Sequence, residues 1–561
     1  MNELRPYLAL LYAWRWRLGI GAALMFLTVA AGIGLLALSG WFITATGVTA
    51  ILLASGVQAR LEIYVPGAGI RFFALTRTAA RYFERLYNHD AVLRLLADLR
   101  TRVFMGLTPL DPATLARFRG ALVLNRLTAD IDALDTLYLR CLAPPLVGLA
   151  GILLVGLIIG VAAPITGFMI SATLLIATVA LTLAVARPGI GLGERISGHL
   201  ESTRSGIVDH VRGLSELRAF TQLGQHRARI DNDARGLIGD QARSARLAVA
   251  GEAGMGLIVH LTVALVLFLG LQLYAEERVG GAVVAMMTLA VLALGEALAP
   301  VPGGFLQLGR TRAAARRLNA QMAIRPGIRE PEQPRTMPAG NRIELLEVVV
   351  RYARGDEPAL ERLSLKIAEG ERVAVIGPSG AGKSTLADLI ARLVEPESGS
   401  ICLDGVSLES LSLARLHDRI GYLTQRTEIF ADTIAANLRL AAADASDDEL
   451  WNVLEEVDLR EFVAGLEHGL ATWVGENGVR LSGGQARRLA LARVLLRDAP
   501  IALLDEPLAG LDERTASRVA TNLDRWLVGR TALLLAHDAR NLPGVDRAVD
   551  LHTRGASARS Q

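Results

Sequence analysis

Residues 141–186 run for 46 positions without one charged side chain. That stretch alone removes most soluble folds from consideration. A helix needs about 20 consecutive apolar residues to cross the hydrocarbon core of a bilayer, where only helices and closed barrels satisfy their own backbone. Forty-six residues exceed one crossing and Pro164 stands near the middle, so two spans joined by a very short outer turn are predicted. Residues 18–38 give another uncharged run of 21, and residues 253–274 and 279–300 read as two further spans, separated by Glu276, Glu277 and Arg278. The first run is too long for the core of a cleavable signal peptide, and no small-residue cleavage site obviously comes after it.

Charge is unevenly placed. Hydrophobic residues make up 52% of the 561, and the mean hydropathy of +0.36 is too apolar for an ordinary soluble protein. The long uncharged runs all precede residue 300, and the remainder reads as a soluble α/β domain. The formal net charge of +3 is modest, and arginines flanking membrane spans explain it better than nucleic-acid binding does, so no nucleic-acid partner is expected. Cys141 and Cys402 stand far apart in unlike settings and support neither a disulfide framework nor a zinc site.

The soluble part is organised around residues 377–385, GPSGAGKST, which match the phosphate-binding pattern G-x-x-x-x-G-K-[ST]. Residues 372–376 before it read as a buried strand and residues 386–393 after it as a helix, the context this motif requires. Gly377, Pro378, Ser379, Gly380, Ala381 and Gly382 form a loop whose backbone N–H groups close around phosphates at a helix N-terminus. Lys383 is placed to reach the β- and γ-phosphates and Ser384 to hold Mg²⁺, and Thr385 closes the nucleotide-binding run. Only Lys366 and Lys383 are lysines among 59 basic residues, so a compact ammonium has been kept where a phosphate must be met.

An ATP-binding domain after the last span lies in the cytoplasm. Arg5, Arg15 and Arg17 place the N-terminus there too, so the spans must be even in number. Six is the consistent count. The second span is the least marked. Residues 42–59 are uncharged but rich in Gly, Thr and Ser, and Arg60, Glu62 and Arg71 interrupt the stretch beyond them, so the span is placed between residues 48 and 88. Residues 77–140 and 187–246 each contain ten arginines, as two long cytoplasmic loops would. Within the first, Arg77, Arg81, Arg85 and His89 recur every four residues along one helix face. Such a stripe faces either lipid phosphates or an anionic cargo, and a histidine at its end suits a haem iron with arginines on the propionates. Glu296 in the last span is either a functional ionisable group at membrane depth or the partner of an arginine at its cytoplasmic end. Trp41, in LSGWFITATG, fits an interfacial aromatic.

Further motifs succeed the phosphate loop in order. Residues 501–504 form an aliphatic strand that ends in Asp505 and Glu506. The first carboxylate suits Mg²⁺ and the second is placed to polarise the attacking water. Gln425 comes after a strand at residues 420–423, where an amide can orient water and touch Mg²⁺. His537 ends another aliphatic run, within reach of a γ-phosphate, and Tyr352 is placed to stack on adenine. Leu481, Ser482, Gly483, Gly484 and Gln485 make a turn into a helix at residues 486–496, an anion site the chain's own phosphate loop does not need.

In this order and spacing the motifs resemble an ABC exporter half-transporter over nearly the whole chain. That resemblance implies an all-α, six-helix transmembrane domain of the type I exporter kind followed by an α/β P-loop ABC ATPase domain. The divisions expected are residues 1–322, a linker at 323–340, and 341–561. It also implies that residues 377–385 are Walker A, Gln425 the Q-loop, Asp505 the Walker B carboxylate, Glu506 the catalytic one and His537 the switch histidine. Residues 481–485 become the signature, capping ATP held by a partner. Residues 472–478 resemble the short loop with which exporters meet membrane-domain coupling helices. LSGWFITA, RTAARYFERLYNHD and GEALAPVPGGFLQLG are similar to the CydC branch, bacterial inner-membrane subunits that pair with a CydD-like half. This branch exports cysteine and glutathione, is tied to haem and supports cytochrome bd assembly. ATP and Mg²⁺ are the expected ligands, the bilayer and a small thiol or haem the expected partners, with Arg81, Arg85 and His89 as candidates for haem or cargo. Two departures stand out. Residues 509–512 read Ala-Gly-Leu-Asp where the family has Ser-Ala-Leu-Asp, which puts an inter-domain hydroxyl contact in doubt, and the chain stops soon after Leu551, so final strands and a helix are expected to be clipped. The rival readings are a homodimeric exporter of lipid, peptide or drug, and a haem-sensing membrane ATPase.

Overall fold

A computed structural model describes residues 2–115, 120–352, 357–538 and 542–551. Contacts divide the chain into two compact units, Met1–Pro109 with Phe118–Arg325, and Leu110–Arg117 with Pro326–Gln561. In the first, six long helices occur in order: α1 (Arg15–Ala54), α2 (Tyr64–Leu107), α3 (Ala143–Ala162), α4 (Pro164–Arg212), α5 (Leu223–Ala275) and α6 (Gly281–Leu298). The uncharged run of residues 141–186 divides where expected. Ala163 is extended, and Pro164 opens α4, a position where its missing N–H costs nothing.

Five helical segments, containing α1, α3, α4, α5 and α6, are long and apolar enough to cross a membrane. The sixth, α2, is long enough but carries Arg71, Arg77, Arg81 and Arg85. Within the range 48–88 given for this span, α1 still occupies the chain up to Ala54 and α2 begins at Tyr64, so the range narrows to residues 64–88. The threonines of the Gly-, Thr- and Ser-rich stretch after residue 42 bond back within α1, Thr46 Oγ1 to Phe42 O at 2.7 Å and Thr49 Oγ1 to Ala45 O at 2.8 Å. A hydroxyl satisfied by its own helix does not end that helix. At 1.5 Å per residue, the 53 residues of α5 reach about 80 Å, far beyond a hydrocarbon core of about 30 Å. The basic loops are therefore largely continuations of α2, α4 and α5.

Apolar side chains cannot drive helices together in lipid, so close approach at small residues carries the packing. Ile33, Ile152, Ile159, Leu174, Met255 and Leu294 fill the centre of the bundle. A Cβ on Gly40 would meet Leu289 of α6 at 2.5 Å, which accounts for the glycine in LSGWFITA. The segment after α6 (Val301–Leu306) leads into α7 (Leu308–Met322), and both lie tightly on α4. Cβ atoms on Gly193 and Gly304 would stand 2.8 Å from Arg310 N and 2.5 Å from Arg140 O, and one on Gly309 would collide with the Ile190 carbonyl.

The second unit holds two sheets. An antiparallel one has the order β2-β1-β4-β5, from β1 (Ile343–Val350), β2 (Leu360–Ile367), β4 (Ser398–Leu403) and β5 (Val406–Ser407). The other has the order β6-β7-β8-β3-β9 and is parallel throughout, from β3 (Arg372–Ile376), β6 (Ile420–Leu423), β7 (Ile501–Asp505), β8 (Thr531–Ala536) and β9 (Arg547–Asp550). Every residue of β7 and β8 is buried, as in parallel strands covered on both faces. Helices α8 (Lys383–Ile390), α9 (Asp447–Glu456), α10 (Gly483–Arg497) and α11 (Glu513–Trp526) are the domain's longest helices among the described residues. Helices α8 and α10 begin three residues earlier than expected, because Lys383–Thr385 in one and Gly483–Gln485 in the other already form the first turn. Residues 552–561, on which the expectation of a clipped C-terminus bears, lie outside the described residues.

The glycine contacts give a direct test. Gly309→Val should destabilise the membrane domain by roughly 3 kcal/mol, seen as a lower melting temperature of the detergent-solubilised protein. Gly256→Ala, whose new Cβ meets nothing within 4 Å, should leave it unchanged.

Candidate nucleotide site and membrane-domain charges

Because β6, β7, β8 and β3 are parallel and in register, their C-terminal ends share one edge of the sheet. Ligands of open α/β sheets bind outside that edge. Here it brings together residues far apart in sequence. Tyr352, the loop from Ser379 to Thr385, Gln425, Asp505, Glu506 and His537 line one cavity of about 320 Å³. Gly377 and Pro378 sit just beneath, as the carbonyl partners of Lys383.

The loop's glycines are structurally required. Gly380 and Gly382 have φ of +83° and +90°, and a Cβ on Gly382 would stand 2.5 Å from Ala359 O. Lys383, 7% exposed, donates from Nζ to Gly377 O at 2.6 Å and Pro378 O at 3.0 Å. Ser384 Oγ donates to the Asp505 carboxylate, and Tyr352 Oη lies 3.2 Å from Thr385 Oγ1. Burial pushes the Asp505 carboxyl up, against the opposing effect of the Ser384 hydrogen bond, and nearby Glu506 pushes it further the same way. A hydroxyl beside a buried carboxylate is a pair of hard oxygen donors that a divalent cation suits, and the cation would favour the ionised form of Asp505. Glu506 has φ of +50°, unusual for a residue with a side chain, and its carboxylate lies 2.9 Å from His537 Nε2. The turn lifts it out of the strand direction to face the cavity, where a second carboxylate and an imidazole can order a water near a phosphate.

One organising residue was missed in the sequence. Arg487, 5% exposed, lies on α10 just beyond the Leu481–Gln485 turn. Its guanidinium donates to Gln425 O and Thr427 Oγ1 at 3.1 Å each, to Glu506 O at 3.2 Å, and to the carbonyls of Thr424 and Asp505. It thus ties the ends of β6 and β7 to the helix that carries the turn. Only its position two residues past Gln485 hinted at this.

The Leu481–Gln485 turn does not line the cavity. It forms a capping box: Ser482 Oγ accepts from Gln485 N at 3.2 Å, and Gln485 Oε1 accepts from Ser482 N at 2.8 Å. A Cβ on Gly484 would stand 2.9 Å from Gly510 O, so the Ala509–Asp512 segment packs directly beside it. Gly483 faces open space.

In the membrane domain, Glu296 pairs with both Arg77 and Arg81. Of the two readings of Glu296, an arginine partner is what the structure shows, and it gives Arg81 a carboxylate on its own chain. Arg85 and His89 continue the same face of α2 and are exposed. Among the described residues no group of three or more His, Cys, Asp or Glu converges as a metal site.

The interactions of Arg487 predict a coupled loss. Arg487→Met would leave several carbonyls unpaired and should destabilise the soluble domain by about 3 kcal/mol. It should also weaken nucleotide-dependent ATPase activity, since Gln425 and Glu506 lose their common anchor. Denaturant titration and phosphate release check the two effects.

Comparison with known proteins accords with this geometry. Residues 360–509 match the family of ABC transporters, and residues 22–295 match the ABC transporter transmembrane region. The glutathione/L-cysteine transport system ATP-binding/permease protein CydC of Escherichia coli is 36% identical over 97% of this chain and 94% of its own length. The protein of the same description from Haemophilus influenzae is 30% identical over 98% and 94%. The solved structure of a bacterial Atm1-family ABC exporter with ATP bound superposes with a TM-score of 0.81, at 23% identity, covering 96% of this chain and 93% of that one. A type I exporter fold with its ATPase on the same polypeptide, and identity at this level along nearly its whole length, place the chain in the ABC transporter family as a CydC-like, membrane-spanning exporter subunit that couples ATP hydrolysis to transport.

Proposed function

We propose that this chain is one half of a heterodimeric exporter in the bacterial cytoplasmic membrane, that it pairs with a CydD-like half-transporter, and that it moves small thiols of the cysteine and glutathione class outward. The observation that carries the cargo is the identity of 36% to an E. coli protein described as a glutathione/L-cysteine transporter. Pairing is supported by the separation of the Leu481–Gln485 turn from the cavity that holds the chain's own phosphate loop. Such a turn has its anion-binding end available for nucleotide held by another subunit. Support for cytochrome bd assembly belongs to the same reading, as the consequence of delivering that cargo.

In the nucleotide site, the loop from Gly377 to Thr385 cradles the phosphates and Lys383 moves from its carbonyl partners onto them. Tyr352 stacks on the base. Ser384 and Asp505 would hold Mg²⁺ with Gln425 beside them, and the ion would supply neutralising charge for the transferring phosphate. Glu506 orients and polarises the attacking water, while His537, 2.9 Å away, keeps Glu506 aimed and contacts the γ-phosphate. ATP favours the paired state of two such domains and hydrolysis removes that preference, so the spans alternate by a population shift.

For haem, His89 and Arg85 stand one turn apart on an exposed face of α2, where the imidazole would supply an iron ligand and the guanidinium a partner for a propionate. Arg81, already paired with Glu296, would assist only by giving up that carboxylate.

Two measurements test these assignments. Glu506→Gln should cut ATP turnover by at least about 100-fold while nucleotide affinity holds; undiminished turnover would move the chemistry to the partner's site. His89→Ala should abolish the Soret band that the purified protein gains when haem is added, and an unchanged band would remove His89 as a ligand.

A further inference from the structure

The GGFLQLG segment, singled out in the sequence and not used by the nucleotide site, walls a second cavity. This cavity, of about 530 Å³, lies wholly within the membrane unit, between the residues leading into α3, the cytoplasmic halves of α4 and α5, and the turn after α6. Its size falls within the range of small-molecule sites. Its polar lining is distinctive: Arg140, Gln241, Ser244, Gln307 and Arg310 all border it, and among the described residues no aspartate or glutamate does. None of these five side chains forms a hydrogen bond or ion pair with another described residue. The acids nearest in sequence are engaged elsewhere: Asp240 bonds Arg195 at 3.0 Å and Arg243 at 3.3 Å, and Glu194 lies 3.9 Å from Arg316.

Two guanidiniums around one cavity at the cytoplasmic end of the spans repel each other unless an anion joins them. The fold has kept the space open. The segment bends away after Ala299, Gly304 packs against the Arg140 carbonyl, and Gly309 packs against α4, so the backbone is pinned on both sides of the cavity. At Gly303, which lines it, a Cβ would meet nothing within 4 Å.

We propose that this cavity is the cytoplasmic loading site for cargo, built for a small peptide-like anion. Its carboxylates meet Arg140 and Arg310 in charge-assisted hydrogen bonds, and its amide body faces Gln241, Gln307 and Ser244. The cavity recognises carboxylates and amides and has no group dedicated to a thiol. The inference deepens the export reading and rests on it for the class of cargo. It predicts that a thiol-free tripeptide of the same charge binds as well as the thiol.

The test uses the full-length protein in phosphatidylcholine nanodiscs, with labelled glutathione and its analogue carrying alanine in place of cysteine as probes. Both should bind the unmodified protein with similar affinity. Arg140→Gln and Arg310→Gln should each weaken binding about tenfold. Gly303→Phe, which fills the cavity without moving backbone, should abolish binding, and all three variants should keep the melting temperature. Equal binding to all variants, or no binding of either probe to the unmodified protein, overturns the proposal. So does displacement of both probes by phosphatidylglycerol added to the nanodiscs, which would assign the arginines to a lipid headgroup. ATP-driven uptake into inverted vesicles separates this site from the export reading. Glutathione uptake that survives all three substitutions leaves export standing and removes the cavity. Arginine-dependent binding without any uptake keeps the cavity and ends thiol export.

Discussion

The parallel pairing of β6, β7, β8 and β3 is the constraint on which the chemistry depends. Ile376 aligns with Ala536, Asp505 with Leu535 and Leu423 with Leu504, so four strands finish together. Each then releases a functional group at the same edge: the phosphate loop, Glu506, His537 and Gln425. In a parallel sheet this results from register alone, because every strand points the same way. A one-residue slip in any of them would exchange its side chains between the two faces of the sheet and withdraw its group from the cavity. The full burial of β7 and β8 protects the register by making such a slip costly.

Arg487 connects that edge to the neighbouring helical region. A buried guanidinium is expensive unless its donors are used, and here both Nη groups end on backbone carbonyls at the ends of β6 and β7 and on Thr427, while the buried Nε finds no partner among the described residues. The helix that begins at Gly483 therefore cannot shift without pulling on Gln425 and Glu506. A shift at the Leu481–Gln485 turn is thereby linked to two residues that line the cavity, with no need for direct contact between turn and cavity.

The membrane unit obeys a different logic. Its helices are held by glycines that admit a neighbouring backbone, and its ionisable groups divide into two kinds. Arg77, Arg81 and Glu296 satisfy one another, as do Arg195 and Asp240. Arg140 and Arg310 find no such partner among the described residues, and they share a cavity that no described acid lines. Charges retained without partners at the end of a membrane domain mark places where something else supplies the opposite charge.

The sequence by itself determined a great deal. An uncharged run of 46 residues has the length and composition of membrane helices, and a glycine loop ending in Lys383, Ser384 and Thr385 after an aliphatic strand has the pattern of a phosphate loop; both patterns are set by local chemistry. Asp505, Glu506, Gln425 and His537 were legible for the same reason, each standing at the end of an aliphatic strand. Three things were decided only by tertiary structure. The run of α1 on to Ala54 through its Gly- and Thr-rich end depends on threonines that bond within the helix, and the next helix then starts at Tyr64. The role of Arg487 depends on five acceptors contributed by two separate strand ends. The partners of Glu296, and the lack of any among the described residues for Arg140 and Arg310, depend on which helices face one another. Spacing along a chain fixes what a residue can do, whereas pairing of charges is settled by helix packing, and in lipid that packing is governed by glycines whose neighbours the sequence does not reveal.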